Sequence, residues 1–474
     1  MSTAASVPPS GGVSVAICGG GIAAASAADA LAQSAHVSRV DIFEMGRGAG
    51  GRSASRRVQL EGLTQYFDHG LQYVSSRPGS DAFEEQQLSI LAEWEDRKLL
   101  RKWADCRGSV VDVVQGEKSQ ENVFELREQK ETSGSADASG QAAALSSDPH
   151  SFYDSKRPRY VPYPTSSTLV KGLLQGSTKI CGIFGARGVP KWDAAKRKWT
   201  LHDFAEPTKL LHDQEKVDGY DFVIGADRLF LNIKGEEPDW SVDPLLQPLA
   251  DILKAEINGI PSFTALLAVS AESSPSSPAL ESVGGLRFVN HPILGWASKQ
   301  VPASGCNSTC WVVQSNRGWT LERLNQLEDE FRGSEGEDFD KFRTRCNEVA
   351  DKEVGEAFVS VLKQLSGGDV NIKLRVGHRW GAAFPDPTPQ LFTRLSDFQL
   401  FPRSAENDHS GPGGGLLPDN AGWFDSTLGL ALCGDYFTEV PGRALSAAVS
   451  GRAAAKAILA KVDTTDGGAS AARM

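Results

Sequence analysis

Between Val13 and Leu459 apolar residues fall in short runs broken by glycine-rich and polar turns. Val13-Ser14-Val15-Ala16-Ile17-Cys18 is short, apolar and partly β-branched, which predicts a buried strand. It runs straight into Gly19-Gly20-Gly21. Ile22 to Leu31 is Ala-rich, as a tightly packed helix would be. Val40-Asp41-Ile42-Phe43-Glu44 predicts a second buried strand, so the chain opens as a βαβ unit on a parallel sheet. Lys179 to His202 has apolar clusters around a turn at Lys191 to Lys198, the pattern of a β-ribbon. Asp221 to Asp227 predicts a strand entering a turn. Leu428 to Asp435 predicts another that closes on Gly-Asp, followed by a small-residue helix from Leu445 to Leu459.

Three segments interrupt this order: residues 131–149, 271–278 and 404–420. Their Ser, Gly and Pro content leaves little apolar surface to pack, so they are expected to be flexible insertions, and 463–474 a disordered tail. Acidic residues from Glu328 to Asp340 are expected on a solvated face or loop.

Composition narrows the class. A chain of 474 residues with 40% hydrophobic content suits more than one globular core. No apolar run approaches the ~20 residues of a membrane helix. A formal charge of −11 disfavours general nucleic-acid binding. Seven scattered cysteines suggest free thiols in a reducing compartment. Cys306 and Cys310 lack a second Cys/His pair, so no metal site is expected. Met1 to Gly12 lacks the pattern of a signal peptide, which makes a cytoplasmic location the default expectation.

The chemistry starts at Gly19-Gly20-Gly21-Ile22-Ala23-Ala24, which fits G-x-G-x-x-G/A. Gly19 would allow the tight turn, Gly21 the close approach of a pyrophosphate, and Ala24 close helix–strand packing. The following helix offers its free N–H groups to phosphate. Such a motif is weak alone, but here it follows a strand, precedes a helix, and is trailed by Glu44 at the end of the next strand. A carboxylate there can accept both ribose hydroxyls of an adenosine. NAD and FAD both remain open at this point. Gly50-Gly51-Arg52 could bring backbone (Gly51) and a phosphate-binding charge (Arg52) to the same ligand.

With these residues in place, the chain resembles the flavin amine-oxidase superfamily, whose FAD domain has a fingerprint, an acidic ribose ligand and a Gly-Gly-Arg turn. Phe67-Asp68-His69-Gly70-Leu71-Gln72-Tyr73 resembles the Asp-x-Gly-x-Gln-Tyr segment of the renalase branch. Val161 to Leu169 resembles the turn before that branch's next helix. Arg187-Gly188-Val189 resembles the strand whose valine backbone meets the adenine. Trp311 to Ser315 and His378-Arg379-Trp380 resemble substrate-domain strands. Leu432-Cys433-Gly434-Asp435-Tyr436-Phe437 resembles the closing segment whose aspartate contacts the ribityl phosphate.

The resemblance implies an α/β plus α+β architecture. A discontinuous Rossmann-like FAD/NAD(P)-binding domain (13–75, 160–230 and 425–460) would carry an inserted, mostly antiparallel substrate domain (76–159 and 236–400). It implies non-covalent FAD held by Gly19, Gly21, Ala24, Glu44, Gly51, Arg52, Gln72, Val189, Gly434, Asp435 and Leu445, with Tyr73 and Trp380 towards the substrate. Backbone N–H groups near Gly434 and at the start of the Leu445 helix would face the flavin. Cys433 would lie near the ring without attaching to it.

Hydride transfer to a flavin needs no protein acid or base, so no catalytic side chain is assigned. His69, His291 and His378 are potential proton shuttles, and Trp296, Trp311, Trp319 and Trp380 potential stacking residues. Three functions compete. The first is oxidation of a reduced or isomeric nicotinamide dinucleotide, NAD(P)H or a relative, with O2 as acceptor and H2O2 as product. The second is amine oxidation, for which Lys299 is the candidate lysine near the ring. The third is a non-enzymatic FAD-binding sensor or scaffold.

Overall fold

A computed structural model describes residues 12–115, 124–128, 157–212, 218–228, 230–231, 243–270, 278–331, 339–398, 414–438 and 440–471. The predicted opening is present. Strand β1 (Val13–Cys18), helix α1 (Ile22–Ala32) and strand β2 (Val37–Glu44) form the βαβ unit, with β1 and β2 parallel. Burial of nearly every side chain of α1 explains its alanines: a larger residue would hold it off the sheet.

This unit lies inside a seven-stranded sheet in the order β18-β19-β20-β12-β1-β2-β9. The added strands are β9 (Ile180–Phe184), β12 (Phe222–Gly225), β18 (Gly414–Leu416), β19 (Trp423–Asp425) and β20 (Leu430–Leu432). Pairings from β20 across to β9 are parallel, and β18-β19-β20 is an antiparallel edge.

A second seven-stranded sheet runs β17-β13-β16-β15-β14-β6-β7. It contains β6 (Ser109–Gln115), β7 (Phe124–Glu128), β13 (Ile257–Ser270), β14 (Val283–Val289), β15 (Leu294–Gln300), β16 (Ser308–Ser315) and β17 (Ile372–Pro387). All its pairs are antiparallel except β14 with β6. Helices Arg317–Phe331, Phe339–Val349 and Gly355–Ser366 close one face through a core around Phe263, Leu327 and Phe358. The remaining strands form three two-stranded ribbons: β3 (Arg56–Leu60) with β4 (Leu63–Phe67), β5 (Leu100–Lys102) with β8 (Tyr160–Pro162), and β10 (Gly188–Asp193) with β11 (Lys198–Asp203). The last is the ribbon expected within Lys179–His202, confined to residues 188–203, because Ile180–Phe184 joins the first sheet as β9 instead.

Packing redraws the expected boundaries. Helix α2 (Asp81–Asp96), expected in the substrate domain, buries Phe83, Ile90, Leu91 and Trp94 in the core it shares with α1 and the Ala444–Ala471 helix. The ion pairs Arg97–Asp29 (2.7 Å) and Arg452–Glu93 (2.6 Å) tie it to both. Helices Gln247–Glu256 and Gln390–Ser396 pack with Trp199, Tyr220 and Leu430 of the first unit. Conversely, the β3–β4 hairpin packs Leu60 and Phe67 on Leu266, Cys310 and Val312 of the second sheet.

Two further expectations change. Residues 414–416 of the expected 404–420 insertion are the edge strand β18. The closing helix continues through Asp463 to Ala471, where a tail was expected. Residues 131–149, 271–277, 404–413 and 472–474 lie outside the described residues. Glu328, Asp329 and Glu330 are exposed, on the helix Arg317–Phe331.

Candidate functional site

The two sheets meet over a cavity of about 520 Å³. One end is the fingerprint loop. Gly19 has φ +112°, and a Cβ there would press on the Asp227 backbone, so the turn requires glycine. A Cβ on Gly21 would meet nothing within 4 Å, because it faces the open cavity. The α1 N-terminus has no side-chain cap and no acidic residue in its first turn. Its orphan N–H groups are therefore open to an anion. The Gly50 N–H bonds the Gly20 carbonyl (2.8 Å), which docks the Gly-Gly-Arg turn on the fingerprint.

Glu44 closes this end. Its Oε2 accepts from the Gly20 N–H (2.7 Å) and its Oε1 from the Gly46 N–H (2.6 Å). Burial pushes the carboxyl pKa up, against the pull of those two donors.

In the middle of the cavity, Arg52 Nη2 donates to Asp435 Oδ1 at 2.6 Å, and Nη1 to the Ala383 carbonyl. Burial works against the arginine's charge, but Asp435, together with Asp227 and Tyr436, outweighs it and the net pKa is raised. Asp435 is 5% exposed and Arg52 41%. Arg52→Ala leaves a buried carboxylate without its cation. We expect it to lower the free energy of urea unfolding by about 2 kcal/mol, less than a fully buried pair because Arg52 is half in solvent. An unchanged unfolding midpoint would show that solvent replaces the guanidinium.

At the far end the lining comes from Gln72, Tyr73, Trp296 on β15, Gln314 on β16 and Trp380 on β17, with Arg443 just ahead of the last helix. Tyr73 lies 5.8 Å from Trp296 and 6.2 Å from Trp103, ring centre to ring centre. Burial is the main cause lowering the Arg443 pKa, to about 10; Tyr73 acts in the opposite sense, and the group stays cationic at neutral pH. Behind Trp380, its Nε1 donates to the His69 carbonyl (3.1 Å), and the His69, His378 and Trp380 rings lie 4.8 Å apart pairwise.

The structure thus brings Gly19, Gly21, Glu44, Gly51, Arg52, Gln72, Tyr73, Trp380, Gly434 and Asp435 to one cavity wall. Three expected residues are off it. Ala24 is fully buried against the sheet, the packing role expected of it. Val189 is buried within β10. The Leu445 side chain is in the core, and its neighbours Ala444 and Ala447 line the cavity instead.

Among the backbone N–H groups near Gly434, expected to face the flavin, the Gly434 N–H itself donates to Ser450 Oγ (2.9 Å). Cys433 is buried outside the lining, its thiol pushed by burial up to about 12. Trp311 packs on Phe358 and Trp319 on Phe263, away from the cavity. Lys299 is also elsewhere: Nζ donates to the carbonyls of Leu280 (2.9 Å) and Glu281 (3.2 Å). Strand alternation is the reason. Trp296 faces the cavity, so Lys299, an odd number of residues later, faces the opposite side.

Sequence reasoning missed Arg443, Asp227 and Arg228, all on the wall. Arg443 had a signal: it follows Gly442, at φ +78°, immediately before the small-residue helix. Asp68 of the Gln-Tyr segment has a scaffolding role. Its Oδ1 accepts from Ser55 Oγ (2.6 Å) and from the Ser166 N–H (2.9 Å) at the start of the helix Ser166–Leu174, where the helix dipole favours a carboxylate.

Among the described residues no group of three or more His, Cys, Asp or Glu converges as a metal site. No helix among them is long and apolar enough to cross a membrane.

Residues 17–85 match a family model described as an NAD(P)-binding Rossmann-like domain. No curated protein matches the chain. Cyclohexylamine oxidase from Brevibacterium oxydans IH-35A aligns with a TM-score of 0.55 and 12% identity, over 95% of this chain and 100% of that one. A protein assigned as a protoporphyrinogen oxidase from Exiguobacterium sp. 255-15 aligns at 0.54 and 11% identity, over 95% and 99%. Putrescine oxidase bound to putrescine aligns at 0.52 and 12% identity, over 94% and 99%. The chain therefore has the two-sheet fold of these oxidases, with an NAD(P)-binding Rossmann-like domain at its start.

Proposed function

We propose that the protein is an FAD-dependent oxidoreductase of the renalase-like kind. It would oxidise a reduced or isomeric nicotinamide dinucleotide and pass the electrons to O2, giving H2O2. The residues present fit FAD. An uncapped helix N-terminus, an open face at Gly21 and a carboxylate at the end of β2 form a cradle for an adenosine diphosphate. Glu44 would hold the ribose, with Gly19, Gly21 and Gly51 along the pyrophosphate. Arg52 and Asp435 would hold the phosphate and ribityl region, with Gly434 beside them. Ala24, Val189 and Leu445 would support the site from outside the cavity wall. Bound flavin supplies acceptance of a hydride and its return to O2 as peroxide. The chain's own work is to orient the two ligands, exclude water with Tyr73, Trp296 and Trp380, and offset charge.

The observation that carries the choice of substrate is Arg443 at the Tyr73 end. The carboxylates on the wall are Glu44, against Gly20; Asp227, against Gly19; and Asp435, paired with Arg52. An incoming ammonium would meet a half-buried guanidinium, whereas a dinucleotide phosphate would be attracted to it. The amine-oxidase reading keeps the support of the fold, since two of the similar structures are amine-named oxidases. It loses its lysine, because Lys299 is off the cavity.

The purified protein is expected to show a flavin band at about 450 nm. Anaerobic mixing with isomers of NADH or NADPH should bleach it, and air should restore it with release of H2O2. Bleaching by amines alone would replace this reading with amine oxidation, and bleaching by neither would leave a sensor or scaffold.

A further inference from the structure

A directed chain of hydrogen bonds ends at the cavity with one group unpaired. The Asp68 N–H donates to Gln300 Oε1 (3.1 Å). Gln300 Nε2 donates to Ser298 Oγ (2.9 Å), and Ser298 Oγ in turn donates to Gln72 Oε1. Trp296 Nε1 also donates to Gln72 Oε1, at 2.7 Å. An indole N–H can only donate, so the Gln72 atom facing it must be the carbonyl oxygen. That fixes the amide the other way round at Nε2, whose two hydrogens find no acceptor in the protein. Gln72 is 6% exposed and lines the cavity.

A buried donor left unpaired costs about 1–3 kcal/mol, so four buried side chains arranged to leave one behind imply an acceptor that arrives with a ligand. The surroundings describe that acceptor. Tyr73, Trp296 and Trp380 offer ring faces and edges, which suit a planar ring. A neutral amide N–H pairs well with a carbonyl in the plane of such a ring, while Arg443 is the group suited to a phosphate.

We infer that Gln72 is a pre-oriented donor to a ring-borne carbonyl oxygen, and that Trp296, Ser298 and Gln300 are positioning residues that prevent its amide from flipping. The inference rests on the FAD–nicotinamide reading, which offers two such oxygens: a flavin ring carbonyl and the nicotinamide carboxamide.

Gln72→Glu separates the outcomes. One carboxylate oxygen keeps both accepted bonds, while the other replaces the donor with an acceptor. The probes are the visible spectrum and midpoint potential of the FAD-loaded protein without nucleotide, and its affinity for oxidised NAD and for the NAD analogue lacking the carboxamide. If the carbonyl is the substrate's, Q72E weakens NAD binding about tenfold or more and leaves the analogue unchanged. If it is the flavin's, Q72E moves the flavin bands and lowers the midpoint potential with no nucleotide present. A merely structural glutamine would do neither, and a Q72E protein matching wild type on both probes overturns the inference. Gln72→Met, of similar volume and without an N–H, carries the same test should Q72E fail to fold. Wild-type protein that takes up no flavin overturns the FAD reading and this inference together; wild type that loads normally beside an indifferent Q72E overturns the inference alone.

Discussion

Replacing Gly451 by valine is expected to destabilise the dinucleotide-binding unit strongly. Gly451 lies where the Ala444–Ala471 helix crosses α1, and a Cβ there would sit 2.1 Å from the Ala23 carbonyl oxygen and 3.0 Å from its carbon. Those are backbone atoms of the first turn of α1, so no rotamer change relieves the contact. The helices must separate, and Ala23 is itself part of the cavity wall.

Helix propensity argues in the opposite direction, since alanine is better than glycine in a helix by about 1 kcal/mol. The sign is therefore diagnostic. Both Gly451→Ala and Gly451→Val should destabilise, the latter by about 3 kcal/mol or more, and under the proposed FAD reading the latter should also retain less flavin. Gly415→Ala, where a Cβ would meet nothing within 4 Å, is the control. Urea unfolding and the flavin-to-protein absorbance ratio measure both effects. A G451A protein as stable as wild type would mean that the helices do not cross this closely.

Acid is the second strong lever. Burial, then His378 and Arg56, lower the His69 pKa to about 3. Burial, then Arg56, lowers that of His378 to about 4. The unfolded chain titrates both near the ordinary value of 6.5. Between 6.5 and those folded values the unfolded state holds protons that the native state refuses, so stability rises with pH across this window. It is complete above about 6.5 and is lost as the pH falls towards 4 and then 3, at about 1.4 kcal/mol per unit of pH for each proton.

His291, lowered by burial to about 4, adds to the same slope. In His378→Phe the slope of unfolding free energy against pH from 6.5 to 4 should shrink by close to one proton. An unchanged slope would place the titration elsewhere. Because the imidazoles support Trp380, the cavity wall should loosen in the same pH window, read as a red shift of tryptophan emission before global unfolding.

The local half of this structure is legible in the sequence, and the long-range half is not. Val13 to Glu44 shows its strand, helix and strand because a short apolar run rich in β-branched residues, three glycines and an alanine stretch each have one economical conformation. The Lys179–His202 ribbon is legible for the same reason. Helix α2 shows a buried face through Phe83, Ile90 and Trp94, but periodicity says that a face is covered and not by what. Its partners, α1 and the last helix, lie far away along the chain, so the local pattern does not show which unit it joins.

The cavity divides in the same way. Glu44 and the glycines are close in sequence and readable as a unit. The Arg52–Asp435 pair spans 383 positions, and the bonds that orient Gln72 span 224 and 226. Lys299 was misplaced for a reason the sequence did contain: in a strand, Trp296 and Lys299 cannot face the same side.

The order of the first sheet has a consequence for how the protein is made. Its central strands, β1 and β12, are flanked by β2 from early in the chain and by β20 from near residue 430, and the helix that covers α1 begins at Ala444. A ribosome that has released the fingerprint, Glu44 and the Gly-Gly-Arg turn has released one end of the cavity without the helix that covers it. The apolar faces of α1 and α2 must wait through roughly 350 further residues, at least ~20 s of synthesis, before the last helix covers them. This unit is therefore finished last although it is begun first, and its apolar helix faces stay uncovered during that interval.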